Sequence, residues 1–451
     1  MNPKAYIFAT TIALMTSAMS SCGIYSKYSR PDIEVLANDS TASANDTLPT
    51  IPLHEFFTDT HLQQLLDTAL CRNTDLQVAK LQIRQAQATL YAAKLSYLPS
   101  LDLNAQGAIS HFNGATTKTY DIGLDAEVDI DIFGKLTNEK RQAIAALEGS
   151  EAYKKAVTAQ LISSLAETYY SLLMLDTQIE ISQQTLTTWD QTISMLEALT
   201  RAGQSNEVAV LQARANRNEL QASILSLQQS VAETENSICS ILRIPAQHIP
   251  RGSLSNQSFP VELNEGVSLA ALATRPDVHQ AEANLMEAFY AENSARSAFY
   301  PTVTLSGSLG WTNGSSGIVN PGKWLSEAMA ALTAPLFSRG TLHANLEIAK
   351  AAQQQALLEF EQAILDASFE VNNALVECQT ADARIELDIL QVNDLQAATD
   401  KTELLVKYTS ANYLEVLTAQ QSLLSAQLTL AQDQAAKIDG MIHLFIALTT
   451  P

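Results

Sequence analysis

"NEVAVLQARANRNEL" (Asn206–Leu220) and "NYLEVLTAQQSLLSAQL" (Asn412–Leu428) stand 206 residues apart and read as loose copies of each other. The copies stay in step to the end: Leu211 answers to Leu417, Ala213 to Ala419, Leu242 to Leu448 and Pro245 to Pro451. Upstream, "NTDLQVAKLQIRQAQATLYAAKLSYLPSLDL" parallels "RPDVHQAEANLMEAFYAENSARSAFYPTVTL", matching Asp75 with Asp277, Ala79 with Ala281 and Pro99 with Pro301. "DIFGK" (131–135) likewise parallels "PLFSRG" (335–340). A two-fold internal repeat therefore covers nearly the whole chain after its N-terminal segment.

Proline sets the boundaries of each half. None occurs between Pro99 and Pro245, or between Pro335 and Pro451. Both windows are rich in Ala, Leu, Gln and Glu, the residues of helix interiors. Leu161, Leu165, Thr168, Leu172, Leu175, Ile179, Ser182, Leu186, Trp189, Ile193, Leu196 and Thr200 are spaced alternately four and three apart. That seam predicts a coiled-coil-like helix from Lys135 to about Thr200, roughly 100 Å long at the helical rise. A turn at Gly203 leads into a returning helix to Leu242. The second half predicts the same pair, about 342–407 and Asn412–Leu448, around the turn "YTSAN". Each half thus reads helix, strand, loop, strand, long helix, returning helix.

The strands alternate strictly. Tyr120, Ile122, Leu124, Ala126, Val128, Ile130 and Ile132 interleave with Asp121, Gly123, Asp125, Glu127, Asp129 and Asp131. Leu101, Leu103, Ala105, Gly107 and Ile109 follow the same rule, as do Val303, Leu305, Gly307, Leu309 and Trp311. Period two places an apolar face against one medium and a polar face against another. The apolar face suits either a soluble core or lipid. Two hairpins per chain are too few to close a barrel, so a membrane barrel needs several subunits.

Charged residues are 17% of the 451, with a formal net charge of −21. Such a chain repels nucleic acid and anionic head groups. Lys4, the apolar run "AYIFATTIALM" and the small-residue exit "SAMSSCG" make a secretory signal. Its end at Cys22 resembles a bacterial lipobox, with Met19 where that pattern prefers Leu, and implies cleavage before Cys22 and diacylation of its thiol. The alternative is ordinary signal cleavage beside a passive cysteine. Cys71, Cys239 and Cys378 lack metal or disulfide spacing and read as buried thiols. The seven histidines lie scattered, and no HExxH, GxSxG, P-loop or GxGxxG context occurs. The Asp121–Asp131 row lacks the loop geometry that cages calcium. Neither catalysis, a cofactor nor a metal site is expected.

Cys22, the "YLP" and "YPT" strand starts, "DIFGK" and "YLEVLTAQQSLLSAQL" together resemble the TolC-like outer-membrane efflux proteins, in particular the lipoprotein (NodT/OprM-like) branch of resistance-nodulation-division efflux systems. The likeness covers roughly residues 55–451. It implies an α+β membrane protein: a trimeric outer-membrane β-barrel, four strands per chain, continued by a long periplasmic α-helical barrel. Divided accordingly, the chain has a signal peptide (1–21), a lipid-anchored N-terminal segment (22–57), a first repeat (58–254), an equatorial linker (255–267) and a second repeat (268–451). In the first repeat, strands at about 100–133 precede long helices at about 135–243; in the second, strands at about 301–337 precede helices at about 342–448. The function implied is the exit duct of a tripartite efflux system, passively conducting small molecules from an inner-membrane pump through a periplasmic adaptor. Many family members narrow the tube with an acidic run that here reads Glu415-Val416-Leu417-Thr418-Ala419, so Leu414, Glu415 and Thr418 are the candidate periplasmic gate, although Thr418 departs from the second acidic position. The tips Gly203, Gln204, Ser205 and Thr409, Ser410, Ala411, Asn412 would face the adaptor, and Asp121, Asp125, Glu127, Asp129 and Asp131 would line the barrel lumen. The competing readings are a type I protein-secretion duct and a lipid-tethered periplasmic scaffold without a pore.

Overall fold

The computed structural model describes residues 26–31, 52–257, 259, 272, 274–313, 323–408 and 413–448. The signal peptide, Cys22, most of the linker 255–267 and the second tip, Thr409 to Asn412, lie outside the described residues. Among the described residues three helices come first, α1 (Leu53–Phe56), α2 (Thr60–Arg72) and α3 (Thr74–Leu95). Strands β1 (Ser100–Phe112) and β2 (Ala115–Ile130) follow, then α4 (Lys135–Arg201) and α5 (Glu207–Leu242). The second half runs α6 (Pro276–Ser297), β3 (Thr302–Thr312), β4 (Lys323–Thr333), α7 (Thr341–Tyr408) and α8 (Tyr413–Leu448). The long helices start and stop within one or two residues of the positions expected from proline spacing and turn residues.

The chain forms two compact units, and each pools segments from both sequence halves. One gathers Gln82–Glu151, Gln280–Glu361 and, from the N-terminal segment, residues 26–31. The other gathers the described residues within Glu34–Leu81, Ala152–His279 and Gln362–Pro451.

In the first unit the four strands make one antiparallel sheet in the order β1-β2-β3-β4. The apolar positions share a face, as Leu103↔Leu124↔Leu309 and Ala105↔Ile122↔Trp311 show. That face is uncovered: Leu103 is 79% exposed, Ile109 74% and Leu332 70%. Below the sheet, Arg30 reaches Glu282 (2.7 Å) and the Tyr28 ring meets Phe289 edge-on, tying the N-terminal strap to α6.

Asp131 departs from the expected lumen row. The strand ends at Ile130, and the Asp131 carboxylate accepts from Leu136 N (3.1 Å), Thr137 N (2.8 Å) and Thr137 Oγ1 (2.6 Å). The open N–H groups at a helix start attract a carboxylate more strongly than a strand face holds it.

Two apolar centres of the second unit fall within the described residues. Phe56, Phe57, Tyr169, Tyr170, Leu172 and Phe445 belong to one, where Phe56 stacks on Phe445 at 4.1 Å. Trp189, Leu196, Val210, Leu220, Leu417 and Leu424 belong to the other. The expected seam is thus buried at Leu161, Leu165, Leu172, Leu175, Ser182, Trp189 and Leu196. Arg251 fastens α4 to α5 by pairing with Asp176 (2.5 Å) and with Glu235. Arg275 does the same for the end of α8, reaching Ala447 O (3.3 Å) and Glu370 of α7 (2.6 Å).

The thiols differ from expectation at one position. Cys239 is buried and Cys378 half-buried, but Cys71 is exposed. It lies on the face of α2 opposite Leu62, Leu66 and Ala69, which fill the core.

Gly310 sets the β2–β3 spacing, since a Cβ there would fall 2.4 Å from Ile122 O and 2.6 Å from Gly123 Cα. Gly310→Val is expected to part these strands and abolish the folded species that resists SDS on unheated gels, whereas Gly114→Ala, in open space though at positive φ, should retain it.

Candidate helical constriction and sheet lining

The first turns of α8 carry Leu414, Glu415 and Thr418, all exposed, while Val416 and Leu417 turn into the core. Glu415 stands in the first helical turn, where the open N–H groups favour a negative charge. Thr418 Oγ1 donates to Leu414 O (2.8 Å), so its hydroxyl is spent within its own helix.

Just behind these residues lies a group the sequence reading passed over. Gln420 is 3% exposed, and its Nε2 donates to Thr192 Oγ1 of α4 (2.8 Å) and Glu403 Oε1 of α7 (2.9 Å). One amide thus holds α8 to two other helices. Its Oε1 is buried and takes no hydrogen bond among the described residues. The signal was legible: Gln420 falls on the row Val416, Gln420, Leu424, where the period calls for an apolar residue.

At the first tip, Gly203 adopts φ +72°, the left-handed conformation that ends many helices. Gln204 N reaches back to Leu199 O (2.9 Å) and Gly203 N to Thr200 O (3.0 Å). Asn206 Oδ1 accepts from Ala209 N (3.0 Å) and starts α5. Gly203 and Gln204 are exposed; Ser205 is half-buried.

On the sheet, Asp121, Asp125, Glu127 and Asp129 alternate along β2 on the face away from Ile122, Leu124 and Val128. Pairing adds carboxylates from other strands. Asp102 sits directly opposite Asp125, Asp125 opposite Ser308, and Ser308 opposite Glu327. This Asp102·Asp125·Ser308·Glu327 rung brings three acids together. Like charges facing across strands are destabilising, so the rung belongs in a wet environment. Asp129 accepts from Thr304 Oγ1 (2.7 Å). Asp102 and Glu327 were not foreseen, because register is a property of the paired sheet.

Among the described residues no cluster of His, Cys, Asp and Glu could hold a metal ion, and no helix is long and apolar enough to cross a membrane.

Known proteins share this arrangement. The family model for outer membrane efflux protein matches residues 65–242 and 267–448. The cation efflux system protein CusC of Escherichia coli (strain K12) is 29% identical over 445 residues, 96% of each chain. The probable outer membrane lipoprotein SilC of Salmonella typhimurium is 27% identical over 97% of each. The MtrE outer membrane channel of Neisseria gonorrhoeae, solved in its open state, superposes with a TM-score of 0.83 at 27% identity, covering 95% of this chain and 98% of that one.

Removing the Gln420 amide takes a donor from the half-buried Glu403 carboxylate and breaks the polar tie between α8 and α4 at this level. Gln420→Ala should therefore cost about 1–3 kcal/mol, seen as a lower midpoint in thermal unfolding; Gln420→Glu should cost more, since it sets a second carboxylate against Glu403.

Proposed function

This chain belongs to the outer membrane efflux protein family, and we propose that three copies of it build one continuous tube through the outer membrane and into the periplasm. It is an outer-membrane efflux duct. The observation that carries the trimer is the sheet: among the described residues it has four strands, an uncovered apolar face, and β1 and β4 each with a neighbour on one side only. In hydrocarbon every backbone group needs a partner, so an open sheet must close with strands from other chains. Three such sheets give a twelve-stranded barrel. The same order of elements in both halves of the chain supports a two-fold repeat, which lets three chains line a ring with six similar helical hairpins.

In this reading the protein does no chemistry. An inner-membrane pump supplies the energy, a periplasmic adaptor docks on the tips at Gly203–Ser205 and Thr409–Asn412, and Leu414 and Glu415 form the constriction. The rung of Asp102, Asp125 and Glu327 faces the lumen and, with Asp121, Glu127 and Asp129, raises the cation concentration there. Cys22 carries the lipid anchor; the SilC relative's description as a lipoprotein supports this. Small toxic molecules are the cargo. A second cargo class, cations, is favoured by the carboxylate rung and by the name of the relative at 29% identity. Complementing an efflux-deficient strain and challenging it with organic toxicants or metal salts separates these two.

Planar-bilayer conductance tests the duct. The purified protein should give small, cation-preferring currents, and Glu415→Ala should raise conductance at least about twofold while weakening the preference. Unchanged currents in the variant would remove Glu415 from the constriction, and silence from folded trimer in both proteins would favour a scaffold without a pore. Cys22→Ala should abolish palmitate labelling yet leave a protein that still needs detergent for extraction; release as a soluble species would contradict the barrel.

A further inference from the structure

At the other end of α8 from Leu414 and Glu415, His443 stands between two carboxylates on different helices. Its Nε2 lies 3.3 Å from Glu167 Oε1 of α4, and its Nδ1 lies 3.2 Å from Glu377 Oε2 of α7. A neutral imidazole has one N–H and one lone pair, so it serves only one of these acids. The imidazolium serves both. Ser163, one turn before Glu167, donates to that carboxylate and orients it.

The approach of α7 depends on Gly440. A Cβ there would meet Cys378 Sγ at 3.0 Å and both Cys378 N and Glu377 Cγ at 3.2 Å. Beside it, Asp439 Oδ1 is buried and without a hydrogen-bond partner among the described residues. The titratable groups around His443 are therefore Glu167 on α4, Glu377 and Cys378 on α7, and Asp439 on α8 itself.

We propose that His443 is a proton-operated clasp that fastens the C-terminal half of α8 to α4 and α7 together, and that removing its proton frees this end of the helix to move. The hydrogen bond to Glu167, against burial and aided by Glu377, raises His443 to about 9. Burial first, then the charges of Glu167 and Glu377, raise Asp439 to about 7, with His443 opposing. Burial pushes Cys378 up to about 11 and keeps it a neutral thiol.

The signs combine in one direction on the alkaline side. His443 has a folded value above its unfolded one, so its contribution is complete below about 6.5 and lost as pH rises through about 9. Asp439 is also raised, so its ionisation costs stability progressively between about 4 and 7. Glu167 is lowered by its bond to His443, and its contribution fades only on acidification. The clasp is thus closed at neutral pH and opens in alkali.

The test is a titration of the full-length protein in detergent with ring-labelled histidine, following NMR shifts from pH 5 to 10.5. The His443 resonance, identified by its absence in His443→Gln, should titrate near 9, and amide exchange in 430–448, corrected for its intrinsic pH dependence, should accelerate across the same range. Glu377→Gln leaves one carboxylate and should lower the midpoint by about one pH unit; it carries the test by itself if His443→Gln fails to fold. Asp439→Asn should remove the loss of stability that accompanies its ionisation between about pH 5 and 7 while leaving the upper change. An ordinary histidine midpoint near 6.5, or an unchanged midpoint in Glu377→Gln, would overturn the proposal. Neither readout requires a conducting pore.

Discussion

A β-sheet cannot end in hydrocarbon, and this chain supplies a sheet with two ends. β1 and β4 each carry a row of N–H and C=O groups with no partner strand among the described residues. No helix of the described residues is apolar enough to span a bilayer in their stead. In the trimer we propose, closure satisfies both edges, and the bare face of Leu103, Ile109 and Leu332 becomes the lipid surface. The strict alternation follows: once one face belongs to lipid, every residue between must suit water, which is why acids are tolerated on the other side. Strand spacing is part of the same constraint, because Gly310 faces Gly123 so closely that no side chain fits at Gly310.

The helices of the second unit meet a different requirement. Long helices with heptad seams slide past one another easily, since one apolar layer resembles the next. Polar ties set the register. Partners descend α7 as they ascend α8: Gln420 with Glu403, Asp433 with Arg384 (2.6 Å), Lys437 with Asp382 (2.6 Å) and His443 with Glu377. Between α4 and α5, Arg214–Glu197 (2.6 Å) and Arg217–Asp190 (3.0 Å) do the same. The exposed pairs among these stabilise little, but each shifted register would leave several charges facing the wrong neighbour. Gln420 and His443 differ from the rest in joining three helices each, so they constrain α8 from both sides at either end.

Most of the element plan was legible because its signals are local. Proline excludes helix interior, so long proline-free windows marked α4, α5, α7 and α8 to within one or two residues. Period two marked β1, β2 and β3 directly, and β4 less cleanly, since its alternation is interrupted by Leu325, Ser326 and Met329. What escaped depends on competition between neighbours. Asp131 continues the alternation by sequence, yet the open helix start at Leu136 and Thr137 claims its carboxylate. Cys71 looks like any core thiol of a helix, yet Leu62, Leu66 and Ala69 take the buried side.

The sequence by itself determined the order of helices and strands, the turn at Gly203, and which residues share a face, because dihedral preference and side-chain period act within a few residues. The tertiary structure alone decided which distant residues meet. Only strand register sets Asp102 against Asp125 and brings Glu327 into the same rung. Only packing of α8 between α4 and α7 gives Gln420 and His443 two partners each. These contacts rest on pairing and close approach between segments far apart in the chain, and no local preference encodes that distance.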